Sequence, residues 1–121
     1  MKEPGPDHPI TVAPNPHRIR VVLGGFIVAE TTNALTLREA TLPPVQYIPR
    51  RDVNMDLLER TQNQTHCPYK GDASYFTVTA GGLVRENAVW SYENPFPAVA
   101  AIREHVAFYP NKVDAIEELR D

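Results

Sequence analysis

From Arg18 onward the chain alternates apolar and polar residues with a period of two, in short runs broken by glycine and proline. That period sends successive side chains to opposite faces of a strand. Arg18–Leu23 and Phe26–Ala29 flank Gly24-Gly25, a pair that tolerates positive φ and predicts a hairpin. Thr31-Thr32-Asn33 is turn chemistry, and Ala34–Glu39 reads as the next strand. Pro43-Pro44 breaks the chain before a short strand at Val45–Ile48, closed by Pro49. Asp52 is placed to cap a short helical turn over Val53–Leu58. Thr61–Thr65 is polar and β-tolerant, His66–Asp72 reads as a loop, and Ala73–Thr79 as a strand. Gly81-Gly82 predicts a second hairpin into Leu83–Arg85 and Ala88–Tyr92. Ala98–His105 is the best helix signal, with Val99, Ile102 and Val106 on one face. Val106–Tyr109 is again a strand, whereas Val113–Leu119 fits strand and helix equally.

Residues 1–16 differ. They hold five prolines, which fix φ and remove amide donors, so they predict an extended arm ahead of a single domain at 17–121. The expected architecture is mainly β: short, mostly antiparallel strands with one or two short helices. Leu23, Phe26, Leu37, Val45, Val78, Val89, Ile102 and Phe108 are expected to share one core.

Charge and composition then exclude several classes. A net charge of −3 provides no basic field for nucleic acid. No run approaches the roughly 18 apolar residues of a membrane-spanning helix, and the polar N-terminus has no signal-peptide core, so a cytoplasmic location is expected. The single cysteine, Cys67, excludes an internal disulfide and any multi-cysteine zinc site, and no metal or other cofactor is expected. Phosphate-loop, dinucleotide and serine-hydrolase motifs are lacking.

Chemistry concentrates in two segments. His66, Cys67, Lys70 and Asp72 bring imidazole, thiol, ammonium and carboxylate onto one stretch, with Tyr69 among them. The functional reading makes Lys70 an anion or carbonyl partner, with Cys67 or His66 in acid–base or nucleophilic work. The plainer reading makes Cys67 a small buried hydrophobe and Lys70 a solvated turn residue. Trp90 and Tyr92, two apart, share one face of the sheet, and with Tyr75 and Tyr69 could wall a flat ligand, Glu93 lining its polar side. Both segments are expected to meet at one concave surface with Lys70 pointing into it.

Six blocks carry a family resemblance: Gly24–Ala29, Pro43–Tyr47, Asp52–Leu58, His66–Gly71, Ala88–Tyr92 and His105–Pro110 with Val113-Asp114. In order and wording they resemble the domain-of-unknown-function family numbered 427, sometimes given a nucleotidyltransferase-type name. The resemblance implies a β-tent of the Mss4-like kind. Zinc-bearing relatives of that fold use paired cysteines, so this chain looks like a metal-free version. Gly24-Gly25 lacks the serine and paired acids of a nucleotidyl-transfer site. The reading that follows is a small-molecule-binding domain whose candidate catalytic groups are those on the 66–72 stretch. The alternative is a non-catalytic module that holds a protein partner or a second copy of itself by a strand edge or the arm.

Overall fold

A computed structural model describes residues 1–120. Ten strands form two sheets, and every pairing between them is antiparallel. In chain order they are β1 (Ile10–Asn15), β2 (Arg18–Leu23), β3 (Phe26–Thr31), β4 (Ala34–Glu39), β5 (Val45–Pro49), β6 (Leu58–Cys67), β7 (Gly71–Ala80), β8 (Leu83–Ser91), β9 (His105–Phe108) and β10 (Ala115–Leu119). Seven of them make one curled sheet, ordered β1-β4-β5-β9-β8-β7-β6, and β10-β2-β3 make the other. Among the described residues, helical ones occur only as short 3₁₀ segments, and no helix is long and apolar enough to cross a membrane.

Alternation along the large sheet sorts side chains onto two faces. Phe76, Val78, Val89, Val106, Phe108 and Ile48 pack against Ile19, Val21, Leu23 and Val28 of the small sheet. Leu37, Tyr47, Ala73, Tyr75 and Ala107 turn the other way and pack with Tyr92, Val99 and Ile102. The expected single core is therefore two clusters, one on each face. Phe26 belongs to neither and is 57 % exposed. It stands at the hairpin tip, paired with Leu23 beside the Gly24-Gly25 turn, and farther along a bulge shifts the register, Val22 pairing with Ile27 and Val21 with Ala29. Val45 is half-buried.

Other local expectations also shift. The predicted helix from Ala98 is a 3₁₀ segment, Pro97–Ile102, interrupted at Val99, and His105 and Val106 already lie in β9. Val99 and Ile102 are three apart, the spacing that aligns on a 3₁₀ turn, and both are buried. Asp52 caps nothing; it accepts a 2.7 Å bond from Thr31, and the helical content nearby is two single 3₁₀ turns. His66 and Cys67 are the end of β6, paired with Asp72 and Gly71, so only Pro68–Lys70 turn. The ambiguous tail is strand β10. The extended arm runs along the domain edge, where Ile10–Asn15 form edge strand β1 against β4, a place that admits Pro14.

The two Gly-Gly hairpins touch tip to tip. A Cβ on Gly24 (φ +60°) would meet the Ala80 carbonyl oxygen at 2.5 Å, and one on Gly81 (φ +58°) would collide with the Gly24 carbonyl. Both positions combine left-handed backbone with backbone contact, so Gly24→Ala and Gly81→Ala should each cost at least about 2 kcal/mol in urea unfolding. Gly82→Ala meets nothing within 4 Å and should cost only about 1 kcal/mol, the left-handed penalty alone.

Candidate functional site

The curl of the large sheet brings its far strands together across one face. Glu39 ends β4 on the same side as Leu35 and Leu37; Lys70 stands in the β6–β7 turn. Lys70 Nζ donates to Glu39 Oε1, closing an ion pair whose side chains are 12 % and 10 % exposed. His8 Nε2 lies 2.7 Å from the other Glu39 oxygen, and its ring stacks on Tyr69 at 4.0 Å. Farther back, the Lys2 amide donates to the Pro68 carbonyl. The N-terminal residues thus strap the turn that carries Lys70.

The turn is held from the other side too. Phe96 N–H donates to the Lys70 carbonyl at 2.9 Å. Gly71 follows at φ +112°, where a Cβ would sit 3.3 Å from the Asn94 carbonyl oxygen. Glycine there lets the chain leave the turn and enter β7 directly. Lys70 is consequently aimed inward, its ammonium 5.8 Å from the Tyr92 ring centroid.

Lys70 and Glu39 line a cavity of about 320 Å³ with Leu37, Leu42, Pro43, Val45 and the rings of Tyr47, Tyr75, Trp90, Tyr92 and Tyr109. The rings are mutually fixed. Trp90 Nε1–H donates to Tyr47 Oη at 3.1 Å, Trp90 and Tyr109 lie 4.5 Å apart, and the Tyr75 hydroxyl meets Thr65 at 3.0 Å and Tyr109 at 3.3 Å. Burial pushes the Tyr47 and Tyr92 phenols well above their ordinary range. Burial, helped by the bond to Tyr75, pushes Tyr109 up to about 12. All three are neutral hydroxyls at pH 7. Burial raises the Glu39 carboxyl, but the bonds from Lys70 and His8 outweigh it and hold the group below its usual range.

Of the residues singled out in the sequence, the structure gathers Lys70, Tyr75, Trp90 and Tyr92 around this cavity. Cys67 packs half-buried at the edge of the same cluster. His66 and Asp72 pair with each other at 2.7 Å on the exposed side of the hairpin. Tyr69 stacks under His8, outside the cavity lining. Glu93 serves the opposite face: Arg60 bonds both its oxygens at 2.8 and 2.7 Å, and Arg50 and Ser74 donate at 2.9 Å each. The Arg60 bonds chiefly hold the Glu93 carboxyl at about 2. Glu39, Tyr47 and Tyr109 were missed, although each follows an inward-facing neighbour two positions back: Leu37, Val45 and Ala107.

Paired cysteines of the zinc-bearing kind have no counterpart in this residue set. Among the described residues no three His, Cys, Asp or Glu side chains gather as a metal site would require.

Fold and cavity together define an antiparallel β domain with an aromatic pocket around one internal ion pair. The chain belongs to the family described as a domain of unknown function, DUF427, whose model matches residues 11–119. No curated protein matches it.

Two outcomes test the charge assignments. Lys70→Met leaves Glu39 shielded from water with only His8, and should cost on the order of 2–4 kcal/mol; Glu39→Gln added to it should recover most of that loss in urea unfolding. Glu93 titrates at about 2 when folded against an ordinary 4.5, so its contribution is complete above pH 4.5 and fades as pH falls toward 2. The stability gap between wild type and Glu93→Gln should therefore be wide at pH 7 and close progressively below pH 4.5.

Proposed function

We propose that this domain binds a small, uncharged molecule that carries both a hydrogen-bond donor and an acceptor on an otherwise flat or apolar body. The observation that carries the reading is the nearly buried Lys70–Glu39 pair facing an aromatic-walled cavity of about 320 Å³. Ligand pockets typically span about 300–1,000 Å³, with a few convergent polar groups in an apolar wall. A ligand carboxylate would gain from Lys70 but be repelled by Glu39, and an amine would meet the reverse. A neutral group such as an amide suits both, since its carbonyl accepts from Lys70 while its N–H donates to Glu39. Recognition fits better than acid–base work, because a general base serves best with a pKa near the working pH and Glu39 is held lower.

Matched neutral amides, carboxylates and amines in a thermal-shift series test this. The amides should raise the melting temperature most, and the Glu39→Gln/Lys70→Met double variant should lose that response. Equal shifts for all three classes, or an undiminished response in the variant, would overturn the reading.

A second reading, self-association, rests on the touching hairpin tips. They collect exposed apolar residues, Phe26 and Ile27 on one and Val84 just beyond the other. If that patch pairs two copies, sedimentation will show a dimer that Phe26→Glu converts to monomer; a wild-type monomer at high concentration excludes it.

A further inference from the structure

The large sheet has an open seam. β5 and β9 pair only through Ile48 with Val106 and Pro49 with His105. Beyond that, β9 follows β8 instead: Trp90 pairs with Ala107, and the Tyr109 amide donates to the Ala88 carbonyl. Pro44 and Pro110 flank the divergence, and neither has an amide donor with which to continue a ladder. Val45–Tyr47 and Ala107–Pro110 therefore part company.

A second cavity, of about 230 Å³, lies at this seam. Its lining draws on the small sheet (Val21, Ile116), the core between the sheets (Ile48, Phe108) and the inward-facing set (Val45, Trp90). A closed sheet would keep the last two groups on opposite sides. Val45 and Trp90 also line the Lys70 cavity, so they form a sill common to both. Gln46 contributes the one side-chain amide of the lining, and its oxygen already accepts from Thr36 at 2.9 Å and Asn15 at 3.2 Å. The other lining side chains are valine, isoleucine, proline and aromatic surface, a mainly apolar wall that suits a hydrocarbon chain.

We propose that the two cavities are the head and tail compartments of one site, and that the ligand class is an amphipathic small molecule. Its neutral polar head sits at Lys70 and Glu39, and its unbranched apolar tail passes the Val45–Trp90 sill into the seam. This rests on the reading of the Lys70 cavity as a ligand pocket and extends it to a substrate class. Taking roughly 30 Å³ per methylene, about the volume share of a water molecule, the tail compartment has room for about seven.

Trp90 is the chain's one tryptophan, so intrinsic fluorescence reports directly from the sill. The experiment titrates the full chain with straight-chain primary amides from butanamide to decanamide. Kd should fall about three- to fourfold for each added methylene and level off once the tail compartment is filled. Ile116→Phe fills that compartment and should flatten the dependence on chain length. Pro44→Phe, at an exposed position on its rim, should do the same and serves if Ile116→Phe fails to fold. Amides that bind with a Kd independent of chain length would overturn the two-compartment site while leaving the Lys70 pocket intact. No binding by any member would overturn both.

Discussion

An ammonium group taken out of water needs a partner, and Lys70 finds one only because the large sheet curls. Glu39 is thirty-one residues earlier, on a strand separated from β7 by three others, β8, β9 and β5, in the hydrogen-bonded order. The ion pair spans the concave face like a tie across an arch. Its desolvation cost is offset by mutual attraction, by the His8 bond to the second carboxylate oxygen and by the Tyr92 ring 5.8 Å from the ammonium. That closure ties the turn carrying Lys70 to β4 across a pocket walled by five aromatic rings.

The curl has local causes. Successive pairings slip at bulges, between Arg60 and Gln64 on β6 and opposite Phe76–Val78 where β8 takes extra residues around Asn87. Asn87 adopts φ +51°, and Thr61 bonds its side chain at 2.7 Å, so the two irregularities sit side by side. Bulges raise the twist of the strands that carry them. Between β5 and β9 the pairing is only two residues long, and Trp90 beside it lines both cavities.

Much of this was legible in the sequence, and the failures have a pattern. Period-two alternation marked the strands, the Gly-Gly pairs marked the hairpins, and Pro68 with Gly71 marked the turn that aims Lys70. Those signals are local, and local geometry obeyed them. Trp90, Tyr92 and Tyr75 joined Lys70 because adjacent strands carry them. Glu39, Tyr47 and Tyr109 belong to strands that reach the pocket only through the order β4-β5-β9, which alternation does not encode. A trace of the answer was still present: an acid two residues beyond Leu37 stands on the apolar face of its strand. The helix expected from Ala98 failed because the chain must return quickly to place Val106 against Ile48, and a 3₁₀ segment covers that distance in fewer bonds.

Two glutamates illustrate how location decides the role of identical chemistry. Glu93 receives donors from Arg50, Arg60 and Ser74, and the two guanidiniums lie 5.5 and 5.0 Å from the Phe76 ring centroid. Its oxygens are saturated by side chains from separate elements; it is a clasp just beyond the end of β8. Glu39 has fewer donors, and the Lys70 ammonium that serves it has three hydrogens for one carboxylate contact. Both residues line the cavity, beside rings that carry neutral hydroxyls. The clasp holds the fold at every pH where its carboxylate stays ionised, while the Lys70 pair keeps bonding capacity in reserve. That reserve, set between aromatic walls, distinguishes the concave face from the rest of the sheet.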